Sequence, residues 1–391
     1  MRVAGLFAGI GGLESGLATA GHHAEVLVES WAPAVAVLAA RFPDATRLGD
    51  VREVAALPTH DLMTAGFPCQ DLSQAGRTAG IGGAKSGLVD HVFRLMDAAA
   101  TPTVLLENVS FMLRLDGGAA MSRLTAAFEE RGHRWAYRTV DTLAFLPQRR
   151  QRVFLLASRT IDPAAVLFAD EVEPAAAATT LATHAHGFYW TEGIRGLGWG
   201  PDCIPTLKNG STLGIPSPPA ILLPDGGIVT PDLRDAERLQ GFPAGWTGPA
   251  GEAGHERMRW SLVGNAVSVP VAGWIGERLV RPGAFDRGRD RDLAEESRWP
   301  PAARFDGRRR SAVAVSTHPC RDERPPLAEF LDHAGKPLSL RATEGFLARL
   351  RRTCLRLPAG LLDRVGAHRD RMAASRPPTR RRAAACAEAA E

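Results

Sequence analysis

The feature that most constrains the fold is a regular alternation of short apolar runs with helical stretches over the first 160 residues. This alternation predicts strands at Val3–Phe7, Glu25–Val28, Asp61–Ala65, Val104–Glu107 and Val153–Ala157, and helices at Leu13–Ala20, from about Pro33, and at Leu88–Ala99. Such a pattern is typical of a doubly wound, mostly parallel α/β sheet. Because ligands of these sheets bind beyond the carboxyl ends of the strands, we expect the functional residues in the turns that follow them.

The alternation ends near residue 160. Gly, Pro and Thr dominate the chain from there to about residue 230, and the stretch 187–200 carries four large aromatic residues, which indicates a smaller, irregular, β-rich domain. Helical periodicity returns at Leu233–Leu239 and after Gly264. These changes of pattern divide the chain at 1–158, 159–231, 232–281 and 282–391, and the last part is a basic C-terminal extension that contains an amphipathic segment at Thr343–Leu355.

Charge is distributed unevenly along the chain. Residues 281–391 contain 24 Lys and Arg against 15 Asp and Glu, whereas residues 1–280 contain 23 against 28. A basic tail on a slightly acidic body indicates an anionic partner, with nucleic acid first among the candidates. The alternative is compositional, since Lys occurs at only three positions and Arg is the usual cation of this chain.

The cysteines and the apolar runs bear on the cellular compartment. The five cysteines are scattered and lack CxxC spacing, so we expect neither a disulfide framework nor a metal site. No apolar run approaches the roughly 20 residues that a membrane helix needs. The chain opens directly into the first predicted strand, which predicts no signal peptide and a cytoplasmic location.

A glycine-rich turn, Phe7-Ala8-Gly9-Ile10-Gly11-Gly12, follows the first predicted strand. Glycines at such a turn let the backbone bend tightly and let a ligand approach it closely. Glu29 ends the second strand about 20 residues later, where a carboxylate hydrogen-bonds ribose hydroxyls. Asp50, in Gly49-Asp50-Val51, ends what would be the third strand, where its carboxylate is suited to accept a hydrogen bond from an adenine amino group. The set predicts a cofactor that contains adenosine, and the absence of a full GxGxxG disfavours NAD.

A cysteine loop follows the strand Asp61–Ala65 and reads Gly66-Phe67-Pro68-Cys69-Gln70-Asp71-Leu72-Ser73. The loop places Cys69 at the ligand end of the sheet, where a thiol is a candidate nucleophile. The glycine-rich stretch Gly76–Gly87 that comes next is suited to move as a lid. The alternative is a half-buried structural cysteine.

Two further sets of polar residues flank predicted strands. Glu107-Asn108-Val109 closes the strand that begins at Val104, so its carboxyl group is expected to face Cys69. Gln148-Arg149-Arg150-Gln151-Arg152 enters the strand at Val153. Alternate residues of a strand share a face, which places Arg150 and Arg152 together as donors to phosphate or to a base carbonyl. A surface acid and a solvated charge run are the alternatives.

In this order the motifs resemble those of the DNA cytosine-5 methyltransferase family. Phe7–Gly12 is similar to its cofactor turn, Pro68-Cys69 to its catalytic Pro-Cys, Glu107–Val109 to its Glu-Asn-Val, and Gln148–Arg152 to its Gln-x-Arg-x-Arg. Later matches are Thr206-Leu207 in the recognition region, Arg238–Pro243, and Gly264-Asn265-Ala266-Val267, the last motif, which returns to the cofactor site. The resemblance covers roughly residues 1–280. It implies a Rossmann-like S-adenosylmethionine-dependent catalytic domain at 1–158, a target-recognition domain at 159–231 and a return to the catalytic domain at 232–281.

The resemblance also implies roles for single residues. Catalysis is expected from Cys69, Glu107, Arg150 and Arg152. S-adenosyl-L-methionine is expected to contact Phe7 (which stacks on the adenine), Gly9, Gly11, Gly12, Glu29, Trp31, Asp50, Val51, Pro68, Asn265 and Ala266. The substrate is expected to contact Gln70, Ser73, Lys85, Asn108, Val109, Thr206 and Lys208.

The implied reaction begins with base flipping, because carbons 5 and 6 of cytosine are buried in a stacked duplex. Cys69 adds to C6 and makes C5 electron-rich enough to take up the methyl group. Glu107 holds or donates the proton at N3, and Arg152 bonds the base carbonyl oxygen. Loss of the C5 proton to a base that the sequence does not identify then releases Cys69.

The chain departs from the family pattern at two places. An acid often stands two residues after the ribose-binding Glu, but here this position is Trp31, which we expect to pack near the cofactor. The loop after the nucleophile often carries Ser-Arg-Ser or Ser-Arg-Gly, but here it reads Ala84-Lys85-Ser86. Lys lacks the fork-shaped donor geometry of Arg, so loop closure is expected to differ.

The rival functions are the same chemistry on tRNA, a catalytically silent DNA-binding module and a small-molecule methyltransferase. The intact Pro-Cys, Glu-Asn-Val and cofactor turn disfavour the silent module, and the 70 irregular residues before Arg238 and the arginine pair disfavour the small-molecule enzyme. The long recognition region and the basic tail favour double-stranded DNA as the substrate. The expected setting is a bacterial monomer associated with the nucleoid, with no membrane partner and with a cognate restriction endonuclease. The tail is expected to be a DNA-contact domain, an oligomerisation element or a partly disordered segment.

Overall fold

The structure is a computed structural model that describes residues 1–67, 87–173, 179–208, 218–293, 298–320 and 324–375. Its strands are β1 Arg2–Leu6, β2 His23–Val28, β3 Thr46–Leu48, β4 Leu62–Ala65, β5 Thr103–Val109, β6 Arg134–Asp141, β7 Gln148–Arg149, β8 Gln151–Ser158, β9 His186–Phe188, β10 Gly200–Pro201, β11 Ile204–Pro205, β12 Ala220–Leu222, β13 Ile228–Thr230, β14 Asp290–Asp292, β15 Ala302–Phe305, β16 Arg310–Val313 and β17 Lys336–Pro337. Its helices are α1 Gly12–Thr19, α2 Ala32–Arg41, α3 Leu88–Ala98, α4 Ala119–Glu130, α5 Pro163–Leu167, α6 Leu233–Leu239, α7 Gly248–Ala250, α8 Arg259–Asn265, α9 Val269–Val280, α10 Leu327–Phe330, α11 Leu340–Leu350 and α12 Leu361–Ala374.

A ten-stranded sheet forms the centre of the fold, in the order β14-β16-β15-β6-β8-β5-β4-β1-β2-β3. Strands β3, β2, β1, β4 and β5 run parallel. The alternating pattern predicts β1, β2, β4 and β5 with bounds, and β3 is the strand that was expected to end at Asp50. Strands β1 and β4 are almost wholly buried, as expected where helices cover both faces of a parallel sheet. The predicted doubly wound α/β class is confirmed.

The other half of this sheet is antiparallel, which differs from the expected mostly parallel arrangement. Strands β6 and β8 pair antiparallel to each other, and β8 pairs antiparallel to β5. Strand β6 was not predicted, because its sequence RWAYRTVD mixes charged with apolar residues. Arg138 lies in this strand with no exposure and donates to the carbonyl oxygens of Leu167 and Asp170 and to the carboxylate of Glu171. Partners distant in sequence thus offset the burial of a charge.

A smaller antiparallel sheet has the order β10-β9-β12-β13-β17. Helices α11 and α12 pack against it and bury an apolar core that includes Phe188, Leu222, Phe346, Leu350 and Val365. The predicted smaller, β-rich unit is present as part of the confirmed fold class.

The segment after residue 281 belongs to both sheets. Strands β14, β15 and β16 extend the large sheet beyond β6, and β17 extends the small one beyond β13. The predicted amphipathic segment Thr343–Leu355 overlaps α11, which begins at Leu340. The boundaries that divide the chain into domains stay a prediction.

Helix α1, near the start of the chain, packs closely on helix α9, which follows the last motif. A β-carbon on Gly16 of α1 would lie 2.3 Å from the carbonyl oxygen of Val269 and 2.7 Å from the backbone nitrogen of Gly273. Only a residue without a side chain allows this separation of the two helices. The last motif is thereby held against the glycine-rich turn.

Across the described ranges, no helix is both long enough and apolar enough to cross a membrane.

Candidate active site at the strand ends

The predicted motifs meet at one edge of the large sheet, where β1, β2, β4 and β5 end. Their parallel register brings Leu6, Val28, Ala65 and Leu106 to the same level. The turn after each strand therefore opens at this edge, as expected for the ligand side of a doubly wound sheet.

The glycine-rich turn after β1 adopts a backbone that ordinary side chains avoid. Gly9 has φ of 57° and Gly11 has φ of 82°, and Phe7, which is not a glycine, has φ of 53°. A β-carbon on Gly11 would lie 2.3 Å from the ring of Phe42, and one on Gly12 would lie 2.6 Å from the carbonyl oxygen of Val267. By contrast, the space beside Gly9 is open within 4 Å. The turn is closed on one side by the protein and accessible at Gly9.

Glu29 stabilises this turn from the end of β2. One carboxylate oxygen accepts a hydrogen bond from the Gly9 backbone N–H at 2.8 Å, and the other accepts from the N–H groups of Ser30 and Trp31 at 2.9 and 2.8 Å. Trp31 is the residue before α2 and packs, partly buried, against an apolar cluster that includes Ile10. The structure thus brings Gly9, Glu29 and Trp31 together, and Glu29 keeps lone pairs for a further donor.

Asp50 lies just beyond β3 and pairs with Arg52. The Asp50 carboxylate accepts from the Arg52 backbone N–H at 2.9 Å and from its guanidinium. These contacts lower the pKa of Asp50 to about 2, so it is a charged acceptor at neutral pH. The neighbouring Val51 is buried.

The predicted cysteine loop falls largely outside the described residues, which resume at Gly87. Pro68, Cys69, Gln70, Ser73 and Lys85 therefore have no structural account here. What the structure does describe is the start of the loop, Gly66 and Phe67, directly after β4.

Glu107 lies near the end of β5, beside the start of that loop. A β-carbon on Gly66 would lie 3.6 Å from a Glu107 carboxylate oxygen. The other oxygen forms an ion pair with the Arg152 Nε at 3.2 Å. Burial raises the pKa of Glu107 above its usual value, and the charges of Arg152 and Arg150 oppose that shift only in part. The group is suited to carry a proton within a site at neutral pH.

Asn108 links the end of β5 to the cysteine loop. Its amide nitrogen donates to the carbonyl oxygen of Phe67 at 3.5 Å, the long limit of a hydrogen bond, and its oxygen accepts from the Val109 backbone N–H at 2.8 Å. Because Asn108 is 3% exposed, this contact holds the backbone immediately before Pro68. In the structure Asn108 thus contacts the loop backbone, and Val109 ends the strand.

Arg150 is buried, and its guanidinium forms hydrogen bonds with backbone carbonyl oxygens. Its guanidinium donates to the carbonyl oxygens of Ala266 at 2.7 Å, Gly264 at 3.3 Å and Leu207 at 3.4 Å. One side chain therefore joins the last motif to the recognition region. Arg152, two residues later, faces Glu107 instead.

Two glutamines that the sequence analysis did not single out as site residues complete this network. Gln148 is fully buried; its nitrogen donates to the oxygens of Leu239 and Gln240, and its oxygen accepts from the Leu207 backbone N–H. Gln240 in turn donates to the Val263 carbonyl oxygen at 2.8 Å. Their motifs were recognised, but the pairing depends on chain segments about 90 residues apart.

The predicted recognition residues Thr206 and Lys208 sit on the other side of this network. The Thr206 hydroxyl donates to the carbonyl oxygen of Arg149 at 2.8 Å. The Lys208 ammonium pairs with Glu192 at 3.0 Å and lies 3.7 Å from the centre of the Tyr189 ring. Asn265 is exposed at the end of α8, whereas the adjacent Ala266 is buried.

Cys203 differs from the kind of thiol that the chemistry requires. It is buried, and burial raises its pKa to about 11, which disfavours the thiolate. Cys354 is exposed and lies after α11.

Taken chemically, the edge combines an open glycine turn, a carboxylate held by three backbone donors, and a protonatable carboxyl group beside a guanidinium. The first two suit the sugar of a nucleoside, and the third suits a ring nitrogen next to a carbonyl group.

Comparisons with known proteins agree with this chemistry. Residues 1–180 match the family model described as C-5 cytosine-specific DNA methylase. The chain is 48% identical over 365 residues to the Type II methyltransferase M2.BsuMI of Bacillus subtilis (strain 168), covering 90% of this chain and 94% of that protein. It is 28% identical over 309 residues to the Type II methyltransferase M.NlaX of Neisseria lactamica, covering 71% and 96%.

Solved structures support the fold. The S. pombe Dnmt2 methyltransferase superimposes with a TM-score of 0.52 at 14% identity, over 72% of this chain and 98% of that one. The Entamoeba histolytica methyltransferase EhMeth superimposes with a TM-score of 0.53 at 13% identity, over 71% and 97%. At these identities the likeness concerns the fold alone.

Proposed function

Since this chain belongs to the C-5 cytosine-specific DNA methylase family and is a DNA cytosine-5 methyltransferase, we propose that it methylates a cytosine in a specific duplex sequence as the modification enzyme of a Type II restriction–modification system. The observation that carries the site assignment is the buried Glu107, paired with Arg152 beside the backbone that leads to Cys69. The relatives named as Type II methyltransferases support the biological setting, which implies a cognate endonuclease.

S-adenosylmethionine is the proposed methyl donor. The open space beside Gly9 lets this cofactor approach the backbone closely. The Glu29 carboxylate suits the ribose hydroxyls, and the charged Asp50 carboxylate suits the adenine amino group. Phe7, Gly11, Gly12, Trp31 and Val51, together with Pro68, Asn265 and Ala266, complete the proposed contacts. When bound, this cofactor supplies an electrophilic methyl group.

Cys69 is the proposed nucleophile. The target base is extruded from the duplex, since its carbons 5 and 6 are otherwise shielded by stacking. The Cys69 thiolate forms a bond to C6, which shifts an electron pair toward C5. Once C5 carries its methyl group, loss of the C5 proton to a base and cleavage of the sulfur–carbon bond restore the aromatic ring and the free thiolate.

Glu107 and Arg152 control charge on the ring during this addition. A protonated Glu107 places its proton at N3, so that negative charge does not accumulate as the sulfur adds, and it takes this proton back as the thiolate leaves. The raised pKa of Glu107 supports this role. Arg152 donates to the base carbonyl oxygen while its pairing with Glu107 orients both groups. Arg150 acts as a positioning residue through its bonds to three backbone carbonyls.

The remaining proposed substrate contacts come from two parts of the chain. Gln70, Ser73 and Lys85 belong to the cysteine loop, with Asn108 and Val109 at the end of β5. Thr206 and Lys208 lie on the recognition side, where Thr206 is bonded to Arg149.

Covalent capture tests the proposal. Duplex DNA carrying 5-fluorocytosine at the target site, incubated with enzyme and S-adenosylmethionine, should yield a complex that survives denaturing gels, because fluorine at C5 blocks release of Cys69. Cys69→Ala should yield none and should stop methyl transfer. Cys386→Ser, which changes a thiol far along the chain from the family motifs, should behave as the wild type.

Capture by Cys69→Ala at the wild-type level would contradict the proposed nucleophile. Failure of the wild type to methylate any cytosine in bisulfite or methylation-sensitive sequencing of host DNA would contradict the proposed activity. The same sequencing reads out the recognition sequence.

A further inference from the structure

A short loop in the smaller unit presents an arginine and an exposed apolar side chain at its tip. The loop spans residues 189–197 and is closed by a hydrogen bond from the Tyr189 backbone N–H to the Leu197 carbonyl oxygen at 2.9 Å, and by a second from Gly193 to Gly196 at 2.8 Å. Between those glycines lie Ile194, which is 41% exposed, and Arg195. An ordered loop that exposes a large apolar residue indicates a contact surface.

The end of α11 holds this loop from the C-terminal part of the chain. The Arg349 guanidinium donates to the carbonyl oxygens of Glu192 at 2.9 Å and Trp190 at 2.7 Å. The Thr353 hydroxyl donates to the carbonyl oxygen of Ile194 at 2.8 Å. Three hydrogen bonds across about 160 residues of chain therefore join the loop and the residues after α11 into one surface.

That surface carries unbalanced positive charge. Arg195, Arg351, Arg352 and Arg356 are exposed, and none of the four forms an ion pair with any residue that the structure describes. The chain contains no Asp or Glu from Gly345 to Leu362. We call these four residues the arginine rim.

Three arginines of the neighbouring helix α12 have partners in the protein. Arg364 donates to the Pro224 carbonyl oxygen, Arg371 to that of Gly226, and Arg369 pairs with Asp370. The four arginines of the rim thus differ from these three, because their guanidiniums form no ion pair with a described residue. Exposed guanidiniums without carboxylate partners are suited to phosphate groups.

The arginine rim is continuous with the recognition side of the active site. Lys208 pairs with Glu192 in the loop that Arg349 holds. Lys208 follows Leu207, whose carbonyl oxygen accepts a hydrogen bond from Arg150. Two residues after Arg150, Arg152 pairs with Glu107. Contacts and neighbouring residues of the chain therefore link the proposed catalytic carboxyl group to the loop that carries Arg195.

We propose that the arginine rim binds backbone phosphates of duplex DNA that flank the target cytosine, so that the C-terminal segment 349–356 is part of the substrate-binding surface. This rests on the proposed function. It assigns a role in substrate binding to a segment that lies outside the family motifs, and it predicts sequence-independent affinity, since phosphate contacts position DNA without reading its bases.

The salt dependence of binding tests this surface. Arg351→Gln, Arg352→Gln and Arg356→Gln are combined in one variant of the full chain. The matched control combines Arg287→Gln, Arg308→Gln and Arg309→Gln, three exposed arginines near β14 and in the β15–β16 turn that form no ion pair with a described residue. Binding of duplex DNA is measured by fluorescence anisotropy between 50 and 300 mM salt.

The rim variant should lose affinity about tenfold or more near 0.1 M salt, and the slope of log K against log salt should decrease by about 0.9 per lost phosphate contact, up to about 2.7 for three. Its kcat at saturating DNA should remain at the wild-type value, because the rim does not contact the reacting base. The control variant should retain the wild-type slope. Single substitutions, each expected to lower the slope by about 0.9, replace the triple variant if its melting temperature falls.

A rim variant with the wild-type slope, or a control variant with the same loss, overturns the proposal. A rim variant that loses affinity for tRNA but not for duplex DNA overturns the assignment to DNA. Methylation of DNA by the wild-type enzyme is read in the same samples. Its absence contradicts the proposed function, whereas an unchanged slope together with normal methylation contradicts the arginine rim alone.

Discussion

Two buried glutamates show how surroundings decide what the same residue does. Glu107 and Glu14 are both nearly inaccessible, and burial raises the pKa of each. Glu107 faces the Arg152 guanidinium at the open edge of the sheet. Glu14 accepts a hydrogen bond from the Thr64 hydroxyl at 2.7 Å inside the protein. The first is placed to exchange a proton with a ligand, and the second is placed to remain neutral within the core.

Replacement of Glu107 by glutamine should separate catalysis from binding. Glu107→Gln keeps the size of the side chain but removes the proton that is proposed to serve N3, so kcat should fall by about 10²–10⁴. The Kd for duplex DNA should change little. Single-turnover methyl transfer and anisotropy give the two quantities, with Glu130→Gln, an exposed residue at the end of α4, as the control. Equal losses in kcat for both variants would contradict the role of Glu107.

Replacement of Glu14 by glutamine should change the pH dependence of stability. The folded-state pKa of Glu14 lies above the ordinary value of 4.5, so the folded protein holds a proton that the unfolded chain releases. Its contribution to stability is therefore complete below pH 4.5 and is lost as pH rises through the folded-state pKa. Glu14→Gln does not titrate, so its free energy of unfolding relative to the wild type should increase from pH 5 to pH 8.

Urea denaturation at several pH values measures this difference. Any common pH dependence from Glu107 cancels, because both proteins contain that residue. A difference between variant and wild type that is the same at pH 5 and pH 8 would contradict a protonated Glu14.

At the scale of elements, the packing of α1 on α9 decides whether the cofactor turn and the last motif meet. Gly16 lies against the α9 backbone, and Gly12 lies against Val267 just before that helix. Helix α9 itself is almost entirely buried on the side that carries Val271, Ala272 and Ile275. Displacement of either helix would therefore disturb the turn at Gly9–Gly12.

Gly16→Ala should be destabilising although alanine favours helices. Its β-carbon would lie 2.3 Å from the Val269 carbonyl oxygen, so the helices must separate, at a cost of about 1–3 kcal/mol. Gly366→Ala, at an open position within α12, should instead stabilise by about 0.5–1 kcal/mol. Thermal melting of both variants tests the pair, and a neutral or stabilising Gly16→Ala would contradict the close approach of α1 and α9.

At the scale of the whole molecule, the C-terminal part of the chain completes both sheets. Trp135 and Tyr137 of β6 stack on each other. Trp135 also contacts Trp299, just before β15, and Phe305, the last residue of β15. In the smaller unit Phe346 of α11 stacks on Phe188 of β9 with ring centres 4.9 Å apart. Strand β9 of the smaller sheet therefore gains part of its apolar cover from a residue more than 100 positions later in the chain.

Phe346→Ala should destabilise strands of the smaller sheet that lie more than 100 residues earlier in the chain. Removal of a fully buried ring costs about 3–5 kcal/mol. Hydrogen exchange should increase in β9 and β12, at residues 186–188 and 220–222, while β1 and β4 keep their protection. Leu362→Ala, which truncates a side chain that is 39% exposed on α12, should leave the exchange pattern unchanged. Unaltered exchange in β9 and β12 of Phe346→Ala would contradict the dependence on α11.

The sequence by itself determined the parallel half of the large sheet, the glycine turn, and the positions of Glu29 and Glu107 at strand ends, because strand and helix periodicities and turn residues are local properties. Helix α6, from Leu233 to Leu239, agrees with its predicted bounds for the same reason. The tertiary structure alone decided that Arg150 bonds three distant carbonyls, that Gln148 and Gln240 pair, that Arg138 is buried in β6, and that the tail covers both sheets. Each of these depends on the burial of a polar or apolar group against a partner far away in the chain, which local patterns do not encode.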